Sequence, residues 1–241
     1  MKVHILGAGW AVPRGNRSKT AILIQDNQED NKILFDCGGD VAKGVSRFDV
    51  GYDKIDAVFI SHKHLDHLSG LSSLLHSTWL MGREKEIPIY SNKPTKKTIS
   101  KLISLHDLNE KLDINLNSLS GDGIVNEWGV EYKKMDHQVE THGFRYKDIT
   151  FSGDTKPCDN LIDLAQNSSL LLQEATYPSG FREEAWKYGH CTVRDAKDVF
   201  EKTQSNNLGI IHTSPKVDID EEGKKVDEDV FFPSDFTTYK L

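Results

Sequence analysis

The sequence predicts an α/β protein built as one domain over residues 1–241, on three observations. Short apolar, β-branched runs are followed by stretches of helical spacing in both halves of the chain. No repeat, low-complexity stretch or Pro/Gly-rich linker divides it. Hydrophobic residues make up 37% and charged residues 28%, a balance that supports a packed core rather than extended disorder. Strands followed by helices in each half fit two sheets with helices outside, although element order alone also permits other α/β layouts.

The elements follow in order. Val3 to Leu6, Thr20 to Gln25 and Lys32 to Asp36 read as strands separated by turn residues, an opening antiparallel meander. Ala57 to Ser61 is a buried strand, and Leu68 to Trp79 carries helical apolar spacing at Leu68, Leu71, Leu74 and Leu75. Ile87 to Ser91 is a strand and Pro94 to His106 a helix, with Pro94 suited to its first turn. Gly129 to Asp136 is a strand, and Gly143 to Ser152 a hairpin around Lys147-Asp148. Leu161 to Gln166 is a short helix and Leu170 to Glu174 an almost wholly apolar strand. Thr192 to Thr203 is a helix capped by Thr192, with Asp195 three residues later. Leu208 to His212 is a strand, the acidic stretch Asp218 to Asp229 a solvated loop, and Asp229 to Leu241 mixed strand and turn.

Composition excludes several classes. No apolar run reaches the roughly 18 residues that a membrane-spanning helix needs. Met1 to Leu6 enters a strand pattern at once, without a secretory h-region. Cys37, Cys158 and Cys191 are odd in number and scattered, so the expectation is free thiols in a reducing cytoplasm. A formal net charge of −7 argues against a general nucleic-acid binder.

The strongest signal is Ser61-His62-Lys63-His64-Leu65-Asp66-His67, an H-x-H-x-D-H arrangement directly after the strand. In extended chain His62 and His64 point the same way and can reach one ion. As the chain turns into a helix, Asp66 and His67 swing toward an adjacent one. One short motif cannot complete two coordination spheres. His137, Asp154 and His212 each lie at the C-terminal end of a predicted strand, where fixed backbone can aim a loop into one cleft. His4, His76, His106 and His142 fit no ligand position, although His142 lies near the cleft.

These residues resemble the metallo-β-lactamase superfamily, which implies a four-layer αββα sandwich of two mixed sheets with helices outside. Carried over, His62, His64 and His137 hold one metal, Asp66, His67 and His212 the other, and Asp154 bridges them. Asp36 resembles a position that orients the metal loop by hydrogen bonding. His64 stands where di-iron relatives carry Glu, which suits hydrolysis by two divalent ions: zinc, with manganese as the alternative. The implied nucleophile is a metal-bridging hydroxide, with Asp66 orienting it or accepting its proton.

Three segments resemble ribonuclease Z and related phosphodiesterases: Pro13 to Thr20, Asp136 to Val139 with Gly143 to Tyr146, and Gln173 to Tyr177 with Gly189 to Thr192. In those enzymes a Glu and a His beside the metals relay a proton to the leaving alcohol; here they are Glu174 and His190. Two departures stand out. Leu65 replaces the usual Gly of the motif, and the stretch from 138 to 153 has room only for a hairpin, not a tRNA-gripping arm. The implied substrate is a small cyclic or nucleotide phosphodiester, or an RNA 3′ end, with no membrane partner and with homodimers common among the resembled enzymes. The competing readings are a lactonase or thioesterase using the same metals, and a non-catalytic metal-binding protein on the same fold.

Arg14, Arg17, Lys19, Arg145 and Lys156 form a candidate phosphate-attracting rim. Cys191, beside His190, reads as a bystander thiol. Gly7-Ala8-Gly9-Trp10-Ala11-Val12 is discounted as a dinucleotide loop: its last position is Val, and Pro13 discourages the helix such a loop opens.

Overall fold

A computed structural model describes residues 1–15 and 17–241; Asn16, in the loop after the first predicted strand, lies outside the described residues. The chain divides into two compact units, Met1–Ser120 with Ser234–Leu241, and Gly121–Pro233.

The first unit opens with the expected meander: β1 (Lys2–Gly7), β2 (Ala21–Asp26) and β3 (Asn31–Phe35), all antiparallel. Helix α1 (Val41–Arg47) crosses to β4 (Ala57–Ile60), which runs parallel to β3. Two short helices, α2 (Leu65–Leu68) and α3 (Leu71–Leu80), lead to β5 (Ile87–Asn92); α4 (Lys93–Leu105) then leads to β6 (Ile114–Leu119). The C-terminal strand β14 (Thr237–Lys240) returns to pair with β1, giving the order β14-β1-β2-β3-β4-β5-β6. All of β4 is buried, as a parallel strand covered on both faces must be. One face packs Leu23, Leu34, Val58 and Ile89 against Val45, Leu71, Leu75 and Ile99 of the helices.

The single helix expected over Leu68 to Trp79 is instead two, broken at Ser69-Gly70. Gly70 N–H donates to Cys37 O at 2.9 Å, so the backbone leaves the helix to bind the turn after β3. A Cβ on Gly70 would lie 2.5 Å from Gly38 O, and one on Gly38 would lie 2.5 Å from Asp66 O. Only glycines let these two loops touch. Asn92 caps α4 by accepting from Thr95 N–H, and a proline occupies the first turn as expected.

The second unit contains β7 (Gly123–Val125), β8 (Val130–Met135), β9 (Thr141–Tyr146) and β10 (Ile149–Phe151) as an antiparallel run. After α5 (Asp159–Leu164), β11 (Leu170–Glu174) pairs parallel to β10. Helices α6 (Arg182–Lys187) and α7 (Val193–Thr203) precede β12 (Leu208–Ile211); α8 (Ile219–Gly223) and β13 (Val230–Phe231) follow. The order is β13-β12-β11-β10-β9-β8-β7. Helix α7 buries Val193, Ala196, Val199 and Phe200, an i, i+3, i+6, i+7 stripe, against Leu171, Leu208 and Ile210. Its capping box is complete: Thr192 Oγ1 accepts from Asp195 N–H, and Asp195 accepts from Thr192 N–H. Such a cap contributes about 1 kcal/mol.

The acidic stretch read as a solvated loop holds α8, whose Glu222 is buried and accepts from the Ser179 hydroxyl at 2.8 Å. A partner for one carboxylate turned part of that loop inward.

Candidate metal centre

In the first unit the motif grows from the end of β4. Four bonds fix it from behind. Asp36 Oδ1 accepts from Ser61 N–H at 2.7 Å, and Asp36 Oδ2 accepts from the Ser61 hydroxyl at 2.8 Å and from His67 Nδ1–H at 2.6 Å. Ser61 Oγ in turn accepts from His62 Nδ1–H at 2.9 Å. Asp36 is fully buried and sits at φ 56°, a left-handed conformation that Asp tolerates better than most residues. The expectation that Asp36 orients the motif matches this geometry. His62 packs against both other histidines, with ring centroids 4.6 Å from His64 and 4.2 Å from His67. His67 Nε2 is 3.7 Å from Asp66 Oδ2. Leu65 is exposed, so nothing in the packing demands glycine there.

The second unit gathers His137, Asp154, Glu174, His190 and His212 at strand ends. His137 follows β8, and its Nδ1–H donates to Gly189 O at 2.7 Å. Ligand-capable atoms of Asp154, His190 and His212 lie within 4.8 Å of one another. His190 Nδ1–H donates to Glu174 Oε1 at 2.9 Å, the pairing expected of a proton relay. The same oxygen accepts from Thr155 N–H at 3.1 Å and Cys191 N–H at 3.2 Å. Glu174 Oε2 accepts from the backbone and hydroxyl of Thr176 at 3.0 and 3.1 Å. Thr176 Oγ1 lies 2.9 Å from His212 Nδ1. His212 has φ 53°, left-handed like Asp36 but at a candidate ligand position.

Several other readings resolve. Cys191 is fully buried, donates to Thr155 O at 3.1 Å, and burial with Glu174 nearby pushes its thiol far up, so it is inert packing behind Glu174. His142 belongs to the interior of β9: its Nε2–H donates to Gly121 O at 3.0 Å and its ring meets Tyr132 edge-on. Arg145 is not a rim residue, because its guanidinium donates to Leu164 O and Gln166 O at the end of α5. Arg17 is likewise turned inward to Ala8 O at 3.2 Å, and Lys156 pairs with Asp136 at 2.9 Å. Carbonyls and a carboxylate of the folded chain already engage these cations. Ser61, Gly189 and Thr176 went unassigned in the sequence; Thr176 is visible there only as a hydroxyl two residues beyond Glu174.

The donor chemistry suits metal ions. A carboxylate or carbonyl only accepts, so His67 and His137 carry a proton on Nδ1, and the neutral form of each ring presents its lone pair on Nε2. Histidines that bind metals are characteristically held in this way through the other ring nitrogen.

Relatives and solved structures make the chain a metal-dependent hydrolase of the metallo-β-lactamase fold, similar to ribonuclease Z, and these histidine and carboxylate groups are compatible with it. Solved structures agree on the fold. The short form of human tRNase Z matches with a TM-score of 0.82 and 21% identity, covering 100% of this chain and 99% of that one. The metallo-β-lactamase fold protein YhfI from Bacillus subtilis matches with a TM-score of 0.83 and 21% identity, covering 99% and 98%. Ribonuclease Z of Bacillus thuringiensis (strain Al Hakam) is 26% identical over 274 aligned residues, covering 90% of this chain and 89% of the relative. The chain belongs to the family described as Anti-Pycsar protein Apyc1, which matches residues 1–205. Among the described residues, no helix is long and apolar enough to cross a membrane.

Proposed function

We propose that the chain is a phosphodiesterase whose two units act as one metallo-β-lactamase-like domain holding two divalent ions, zinc or manganese. His62, His64 and His137 would hold one ion, Asp66, His67 and His212 the other, with Asp154 shared. The observation that carries this reading is the histidine support: His67 on Asp36, His137 on Gly189 O, and His62 on the Ser61 hydroxyl. When bound, such ions supply a water nucleophile near neutral pH and positive charge for the developing oxyanion.

The chain's own residues supply the rest. Asp66, 8% exposed, is placed to orient the attacking water or take its proton. His190 is the general acid for the leaving alkoxide. Its Nδ1 is fixed by Glu174, so Nε2 is the atom that gives a proton, and the carboxylate supports the charge on the ring while that proton is held. Glu174 itself cannot turn, because five donors hold its two oxygens.

A small phosphodiester, cyclic or nucleotide, fits better than a tRNA end. Between His137 and Asp154 the structure has the β9–β10 hairpin and no further element. The test is turnover by zinc- and manganese-loaded protein on bis-p-nitrophenyl phosphate, 2′,3′-cyclic nucleotides and a precursor tRNA. Hydrolysis of the small diesters supports the proposal. Turnover of a lactone or thioester with none of the diesters cleaved rejects it.

A further inference from the structure

The Thr176 hydroxyl contacts more of the second unit's polar groups than its size suggests. It is 1% exposed and lies 3.1 Å from Glu174 Oε2, 2.9 Å from His212 Nδ1 and 3.2 Å from His212 O. A hydroxyl has one proton to give. Glu174, already taking four N–H donors, accepts only, and the hydroxyl completes its shell. The carbonyl of His212 accepts only as well, so with the proton on either oxygen Thr176 Oγ1 can only accept from the imidazole. His212 must then carry its proton on Nδ1, and its lone pair sits on Nε2. Asp154 Oδ1, 3.6 Å from Nδ1, is too far for a hydrogen bond.

The first unit repeats the arrangement. Asp36 accepts from the Ser61 hydroxyl at 2.8 Å, and Ser61 Oγ receives His62 Nδ1–H at 2.9 Å. In both places a buried carboxylate accepts from a hydroxyl, and the oxygen of that hydroxyl lies 2.9 Å from a histidine Nδ1.

We infer that Thr176 is a positioning residue that sets His212 in the Nδ1–H tautomer, by passing on the acceptor character of Glu174, as Ser61 does for His62 from Asp36. One consequence is coupling. The carboxylate that holds the His190 proton donor also determines which nitrogen His212 offers, so the acid and the ligand are prepared by one residue, Glu174. The inference rests on the reading of His212 as a metal ligand for its consequence, but the tautomer itself is independent of metal.

The test uses the full chain, freed of metal by chelation, at about pH 8, above the ordinary imidazole pKa. Nitrogen-15 NMR of the histidine rings reads the tautomer of His212 directly, and competition titration reads zinc affinity. The wild-type protein should show a single Nδ1–H form. Thr176→Val, which keeps the shape and loses the hydroxyl, should show mixed tautomers and a zinc site weakened by about 10–100-fold. Thr176→Ser should restore both. If valine is not accommodated, Thr176→Ala carries the same expectation. An Nε2–H form in the wild type, or unchanged tautomer and zinc affinity in Thr176→Val, overturns the inference. Wild-type protein that binds no zinc rejects the metal site proposed above and leaves the NMR result to decide this one.

Discussion

Asp36 Oδ2 stands 2.6 Å from His67 Nδ1, and the same carboxylate holds the backbone and hydroxyl of Ser61. One buried side chain from the end of β3 thus fixes both ends of the histidine motif. Asp36→Asn keeps the volume and tolerates the left-handed backbone, yet one of its two side-chain positions becomes a donor facing Ser61 or His67. Zinc affinity is expected to fall by about 10–100-fold with the fold intact. Competition titration with circular dichroism checks it; wild-type affinity in the variant contradicts the role given to Asp36.

The proton relay predicts a dependence on leaving group. His190→Ala is expected to lower kcat by about 100-fold or more for a diester with a nucleoside leaving group, and only slightly for p-nitrophenolate, which departs without a proton. Glu174→Gln is expected to follow the same pattern. Equal losses on both substrates count against His190 as the acid.

Gly189, at φ 77°, carries the carbonyl that holds His137 Nδ1, and a Cβ there would stand 2.8 Å from that nitrogen. Gly189→Ala therefore combines backbone strain of about 1–3 kcal/mol with displacement of His137. Lower thermal stability together with weaker zinc binding is expected. Loss of stability alone would separate Gly189 from the site.

Burial holds His142 below the ordinary imidazole pKa, with the Gly121 carbonyl opposing that shift, and its Nδ1 is buried without a hydrogen-bond partner. The unfolded chain accepts a proton near pH 6.5 and the folded one resists it, so stability is full above that pH and falls as acid is added. Each pH unit in the window costs up to about 1.4 kcal/mol for this group. His142→Gln cannot titrate, so its urea midpoint should change less than that of the wild type between about pH 7.5 and 5.5. Parallel curves would place the acid sensitivity elsewhere.

The thiols differ in the same physical way. Burial pushes Cys37 and Cys191 far up and both are fully enclosed, whereas Cys158 is half-buried. A thiol reagent should label Cys158 alone in the folded protein and all three after denaturation. Labelling of Cys191 in the folded chain would contradict its place behind Glu174.

Much of this was legible in the sequence. The H-x-H-x-D-H cluster is contiguous, and β4, β10 and β12 are apolar enough to show Asp154 and His212 at strand ends, whereas β8, ahead of His137, carries Glu131, Lys133 and Lys134 and is marked only by Val130, Tyr132 and Met135. The hidden elements lacked such signals. Helix α1 has Gly44 in its interior and no side-chain cap, and α6 buries only Ala185. Strand β6 alternates apolar residues with asparagine, which strands disfavour. Thr176 was unassigned because its partner His212 lies 36 positions away, and which cations turn inward depends on carbonyls that only the folded chain brings near.

Anomalous diffraction at the zinc edge from zinc-loaded crystals tests the central claim most directly. Two peaks are expected, one within bonding distance of His62, His64 and His137, the other of Asp66, His67 and His212, with Asp154 reaching both. A single peak, or His137, Asp154 or His212 turned away from the zinc, would contradict the account.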